Sequence, residues 1–204
     1  MSSPPDVRRA GAHEIEAAAD ILTDAFVDED GLNWWLKQGA EKTRARRRFF
    51  DRAVRDGVNP KREIWIAPGD AGAAIWCPPG VVAFDLTPLR QLLLMPLLLR
   101  VAGLQGMGRA FALGEELARH HPPMPHAHLV FLGVRTNAQG RGVGSAILKR
   151  TLAEVDGQGV AAYLEATMPR NVALYLRHGF EVTHEFDVAG AGPHVWTMTR
   201  AART

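Results

Sequence analysis

The stretch that most constrains the fold runs from Leu132-Gly133-Val134 through Gln139-Gly140-Arg141-Gly142-Val143-Gly144-Ser145 into Ala146-Ile147-Leu148. An apolar strand, His128 to Val134, leads through a glycine-rich turn into a helix expected over Gly142 to Asp156, and a second strand follows at Val160 to Glu165. Strand, helix, strand in that order implies parallel pairing with a crossover helix. The turn also makes an anion site. Glycines at 140, 142 and 144 let backbone approach a ligand, the unpaired N–H groups of the helix's first turn favour phosphate oxygens, and Arg141 adds charge. The spacing is neither that of a P-loop nor that of a dinucleotide fold.

The rest of the chain supplies elements for one α/β domain, 1–204, built on a mixed sheet. Val7 to Ala10 reads as a strand. A helix begins near His13, with Ile15, Ala18, Ile21, Leu22, Ala25 and Phe26 on one stripe. Asp28 to Gly39 breaks the pattern around Trp34 and Trp35, and Glu41 to Arg55 is helical again. Arg44, Arg46, Arg47 and Arg48 form a solvated face there, diluted by Asp51 and Asp56. Glu63 to Ala67 and Ala73 to Cys77, separated by Pro68-Gly69-Asp70, read as a hairpin. From Thr87 to about Arg119 the chain is Leu-rich and helical, with Gly103, Gly106 and Gly108 marking a break between two helices. A short helix over Asn171 to His178 and two strands, Phe180 to Val188 and His194 to Thr199, close the domain.

Composition narrows the function classes. Lys+Arg and Asp+Glu number 24 and 22, a balance that gives no case for a nucleic-acid partner. The apolar run Leu92 to Leu99 holds a proline and is short of the roughly 20 residues a bilayer span needs, so it is read as a core helix or pocket wall, with no membrane partner. The single Cys77 and a first segment unlike a leader suggest a reducing, cytoplasmic setting. His120, His121, His126 and His128 fall close together, but without a carboxylate or thiol at familiar ligand spacing no metal is assigned to them.

Gln139, Gly142 and Gly144 follow the pattern Gln/Arg-x-x-Gly-x-Gly/Ala, which resembles the pyrophosphate signature of the GNAT superfamily of N-acetyltransferases. A second motif agrees in order and distance: Tyr163-Leu164-Glu165 on a strand, Asn171 opening a helix, Tyr175 four residues on, then Gly179-Phe180. Gly72-Ala73-Ala74-Ile75-Trp76 before a proline turn, Leu164-Glu165-Ala166 before Pro169-Arg170-Asn171, and the closing run Gly192-Pro193-His194-Val195-Trp196-Thr197-Met198-Thr199-Arg200 look most like the puromycin N-acetyltransferases and their relatives, with Leu176 where those commonly place an acid.

The resemblance implies a single domain with a mixed, mostly antiparallel twisted sheet flanked by helices and splayed parallel strands at the cofactor. Residues 6–127 would carry the acceptor-side elements and residues 128–200 would bind acetyl-CoA. It implies that the backbone of Leu132, Gly133 and Val134 pairs with the pantetheine arm and that Gln139, Gly140, Arg141, Gly142, Val143, Gly144 and Ser145 hold the pyrophosphate. Residues four apart share a helix face, so Asn171 would hold the cofactor arm while Tyr175 reaches its sulfur. A tyrosine hydroxyl stays protonated at neutral pH and can protonate a departing thiolate, which makes Tyr175 the candidate general acid. Glu165 is the candidate base, with a structural acid as its alternative. The expected reaction is direct acetyl transfer to a primary amine, of a small molecule by preference, with a lysine acceptor on a protein or a non-catalytic CoA-binding module as alternatives. Dimers are common in such proteins, so a homodimer is the assembly to test for.

Overall fold

In the computed structural model, which describes residues 6–84 and 88–203, seven strands among those residues form one sheet. They are β1 (Arg8–Arg9), β2 (Glu63–Ile66), β3 (Gly72–Cys77), β4 (His126–Val134), β5 (Ala161–Ala166), β6 (Glu181–Asp187) and β7 (His194–Arg200). Their order is β1-β2-β3-β4-β5-β7-β6. All neighbours are antiparallel except β4 and β5. The hairpin β2–β3 and the parallel pair agree with expectation. The last two strands also form, but β7 inserts between β5 and β6, so the chain passes the sheet edge before returning.

Helices α1 (Ile15–Ala25), α3 (Lys42–Arg52), α5 (Val143–Gly157) and α6 (Pro169–Leu176) lie where their apolar periodicity places them, within a few residues. Two readings are corrected. Asp28 to Gly39 is not a structureless break: it contains α2 (Asp30–Trp35), whose first turn is capped by Glu29, the side chain accepting from Gly31 N at 2.9 Å and Leu32 N at 2.6 Å. In α4 (Pro88–Arg119) only Gly103 breaks the helix, at φ 70° and ψ 179°; Gly106 and Gly108 continue it. Thr87, its expected start, and Met1 to Pro5, read against a leader, lie outside the described residues.

Alternation along the strands divides the core in two. Ile66, Ala73, Ile75 and Cys77 face α1, α2, α3 and the Val101–Ala102 turn of α4. Trp65, Ala74, Trp76, Leu129, Leu164 and Met198 face α5 and Tyr175 of α6. Trp76 and Trp35 are therefore core residues. Cys77 packs as a small hydrophobe, and burial pushes its thiol pKa up to about 12. Arg46 departs from the solvated-face reading: it is buried and donates to Thr23 O at 2.9 Å and Asn33 Oδ1 at 3.3 Å, joining α3 to α1 and α2. The Leu-rich segment is more exposed than expected, with Leu92, Leu99, Leu104 and Phe111 at the surface. No helix among the described residues is long and apolar enough to cross a membrane.

Candidate active site

Where β4 meets β5 the sheet opens. Their pairing runs from His126↔Ala161 to Leu129↔Leu164 and stops, although β4 continues to Val134 and β5 to Ala166. On its other edge β4 stays paired to β3, with Leu129 opposite Trp76 and Phe131 opposite Ile75, so Val130 is an extra residue. A bulge bends its strand and adds twist, which accounts for the two strands parting at this point. Leu132, Gly133 and Val134 thus lie on a β4 edge that β5 does not pair with. Gly133 is required by packing: a Cβ there would sit 2.7 Å from the Cβ of Ala25 on α1.

The glycine turn follows directly. Gly140 and Gly142 have φ of 73° and 80°, the left-handed region that L side chains disfavour. Gly142 is the N-cap of α5 and no side chain caps that end, so the N–H groups of Val143, Gly144 and Ser145 are left for a ligand. Arg141 is exposed beside them. Gln139 is partly committed, its amide donating to Val134 O at 3.2 Å. Ser145 has a partner that the sequence did not reveal, with Oγ and His178 Nε2 hydrogen bonded at 2.7 Å.

Gly144 needs neither a positive φ nor space from its neighbours, since a Cβ there would meet Leu174 and Val134 only at 3.5 Å. Packing among the described residues therefore does not demand its small size. Gly144→Ala is expected to leave thermal stability nearly unchanged and to weaken acetyl-CoA binding by about 10-fold or more, as read by calorimetric titration.

Beyond β5 lies the second half of the site. Pro169 starts α6 two residues earlier than expected, so Asn171 sits inside the first turn, and among the described residues its side chain makes no hydrogen bond. Tyr175, one turn later, is buried against Phe180 with ring centroids 5.9 Å apart. Burial, with the charge of Glu29 nearby, raises the Tyr175 pKa above that of an ordinary tyrosine, so its hydroxyl stays protonated. Glu29 is the residue that sequence reasoning missed. It is half-buried between the α2 N-terminus and Thr167, whose hydroxyl donates to it. Burial raises its pKa, with the Thr167 hydrogen bond and those of the Leu32 and Gly31 N–H groups opposing. Its only signal in the sequence was an acid placed just before Asp30-Gly31, an N-cap position.

Glu165 does not stand alone. Its Oε2 accepts from His128 Nε2 at 2.8 Å. Burial would raise its pKa, but the charge and hydrogen bond of His128 and the nearby Tyr163 and His121 outweigh that and hold it lower, as a carboxylate. Tyr163 lies between, with its hydroxyl buried; burial and the Glu165 charge raise its pKa. An ionised carboxylate bonded to an imidazole orients that imidazole more readily than it takes a proton itself.

A cleft of about 470 Å³ opens next to α2, lined by Asp30, Asn33 and Trp34 on one side and by Ala191, Gly192, Pro193 and His194 of the β6–β7 turn on the other. Trp34 lines this cleft, whereas Trp35 beside it is buried in the core. Arg109 of α4 holds it, donating to Trp34 O at 3.1 Å with its guanidinium 5.6 Å from the ring centre.

Residues 102–180 match the acetyltransferase (GNAT) family. They span α4 from its Gly103 break, β4, the glycine turn, α5, β5 and α6, which are the elements of the site. The fold is that of the GNAT acetyltransferases. A Corynebacterium glutamicum protein described as histone acetyltransferase HPA2 and related acetyltransferase is similar over 99% of this chain and 98% of its own, at 24% identity and a TM-score of 0.75. Arylalkylamine N-acetyltransferase 2 from Aedes aegypti is similar over 96% and 97%, at 11% identity and a TM-score of 0.61. Ribosomal-protein-alanine N-acetyltransferase from Brucella melitensis is similar over 96% and 98%, at 18% identity and 0.53. The family match and this GNAT fold together support an acyltransferase.

Proposed function

We propose that the chain transfers an acetyl group from acetyl-CoA to a primary amine of a small molecule, by direct attack within a ternary complex. The observation that carries this reading is the opening between β4 and β5, with the uncapped N-terminus of α5 at one side and buried Tyr175 at the other. An extended amide-bearing arm suits the free edge of Leu132 to Val134, and a pyrophosphate suits the N–H groups of Val143 to Ser145 beside Arg141. Asn171 faces the same arm in this reading.

Attack of the amine nitrogen on the thioester carbonyl forms the amide bond, breaks the C–S bond and releases CoA thiolate. Tyr175 protonates that sulfur. The proton lost by the amine passes toward the His128–Glu165 pair, in which Glu165 fixes the ring through Nε2 and leaves Nδ1, buried without a partner, as the accepting atom. Glu165 thus acts as a positioning residue behind His128. No acyl-enzyme is needed: the Cys77 thiol is buried and strongly protonated, and among the described residues no carboxylate orients His178 behind Ser145.

The cleft beside Trp34 supports a small acceptor. Its aromatic wall suits an apolar or aromatic body, and Asp30 attracts an ammonium. Local likeness to the puromycin N-acetyltransferases points the same way. The test is release of CoA thiol from acetyl-CoA across a panel of small amines, aminonucleoside antibiotics included, beside lysine and N-terminal peptides. Turnover of small amines is expected. Turnover of peptides alone would move the acceptor to a protein, and CoA binding without any turnover would make the chain a binding module.

A further inference from the structure

Three of the four clustered histidines converge although the chain separates them. His121 follows α4, while His126 and His128 lie two apart on β4 and so share one face of the strand. One ring nitrogen from each comes within 4.8 Å of the others. His121 and His126 rings are 4.8 Å apart and His121 and His128 rings 5.6 Å, with the Tyr163 ring packed among all three. His120 takes no part, since it stacks on Phe186 instead.

The second nitrogens decide what the cluster is for. His126 Nδ1 donates to Met124 O at 2.7 Å, leaving Nε2 with a lone pair. His128 Nε2 donates to Glu165 at 2.8 Å, leaving Nδ1 with a lone pair, and that atom is buried without any hydrogen-bond partner. A carboxylate or a backbone carbonyl behind each imidazole is the arrangement that orients histidine ligands toward a metal. Burial first, and then the neighbouring imidazoles, keep His121 and His126 below the ordinary imidazole pKa, which favours the neutral form that binds metal. A buried nitrogen left unpaired costs free energy that a bound ion would recover.

We infer that His121 Nδ1 or Nε2, His126 Nε2 and His128 Nδ1 form a three-histidine site for a divalent ion of the zinc class, with water as the fourth ligand. Imidazole donors select zinc and its neighbours over magnesium or calcium. Tetrahedral zinc with bonds of about 2.0–2.1 Å needs its nitrogens about 3.4 Å apart, so nitrogens as far as 4.8 Å apart must close by up to about 1.4 Å, a movement helped by the partial exposure of His121. The ion would clip the 120–126 turn to the sheet, and by occupying His128 Nδ1 it would block the proton acceptor assigned above. The site itself does not depend on acetyl transfer being the activity.

Tag-free chain, stripped with chelator and titrated with Zn²⁺ against a chromophoric competitor, is expected to bind one ion and to gain thermal stability with it. Co²⁺ in its place should give the visible absorption of a tetrahedral site. His121→Ala and His126→Ala are each expected to weaken Zn²⁺ binding by about 10-fold or more, as is Glu165→Gln through loss of the orienting carboxylate. His121→Ala removes only a partly exposed ring, and its metal-free melting curve checks that it is folded. Binding weaker than about 100 μM, or affinity unchanged in the folded His121→Ala chain, would overturn the site whether or not the protein acetylates amines.

Discussion

Tyr175→Phe is expected to lower kcat by about 100-fold or more while acetyl-CoA affinity stays within about threefold of the parent, since general acid catalysis contributes on the order of 10² to 10⁴ in rate. The separation follows from the position of the ring. Tyr175 packs against Phe180, and Phe keeps that ring contact. What is lost is a hydroxyl for which the protein supplies no hydrogen-bond partner among the described residues, in a place where burial and Glu29 keep it protonated. A hydroxyl held in that way has no structural duty, so its removal should not cost stability. Steady-state and single-turnover kinetics read the rate, and calorimetric titration reads the affinity. An unchanged single-turnover rate at saturating substrates would remove Tyr175 from the reaction.

The site was partly legible in the sequence, and the legible part is local. Gly140, Gly142 and Gly144 precede an amphipathic helix within a few residues, and Asn171 and Tyr175 lie one helical turn apart, so period and turn chemistry suffice to place them. The parallel pairing of β4 and β5 could be inferred because a crossover helix leaves little choice. Other features depend on which segments meet. The bulge at Val130 exists only against the register of β3, and nothing in the run His128 to Val134 announces it. The insertion of β7 between β5 and β6 requires the sheet to exist first.

Glu165 shows the same limit at the scale of one side chain. In sequence it is an acid at a strand end. In the sheet it lies one strand away from His128, 37 positions distant, and in the proposed reaction that contact makes it the group that orients the proton acceptor. Glu29 is the converse case: a short helix, α2, forms where turn residues predicted irregular chain, and its cap acid is thereby held against Thr167 and close enough to influence Tyr175. Helix propensity is a weak guide in a six-residue element that tertiary contacts hold in place.

Two glycines of α4 that the sequence treated alike should respond to the same substitution with opposite sign. A Cβ on Gly106 would fall 2.1 Å from the carbonyl oxygen of Trp35, a backbone atom that cannot swing aside, whereas a Cβ on Gly108 would meet nothing. Gly106→Ala is therefore expected to destabilise by about 2 kcal/mol or more, overcoming the gain of up to about 1 kcal/mol that alanine brings to a helix interior, while Gly108→Ala keeps that gain. In a chain of this length 1 kcal/mol moves Tm by roughly 2–4 °C, so melting curves separate the two variants. The effect should reach function through α2. Lys37 N donates to Val101 O at 2.8 Å and Arg109 holds the Trp34 carbonyl, so α4 straps down the segment that bears Trp34 and Asp30 at the cleft. Pushing α4 away at Gly106 displaces that wall without touching the α5 N-terminus. Gly106→Ala should accordingly raise KM for the amine while leaving acetyl-CoA affinity intact, and equal losses at both substrates would show instead that the two ends of the site are coupled through the core.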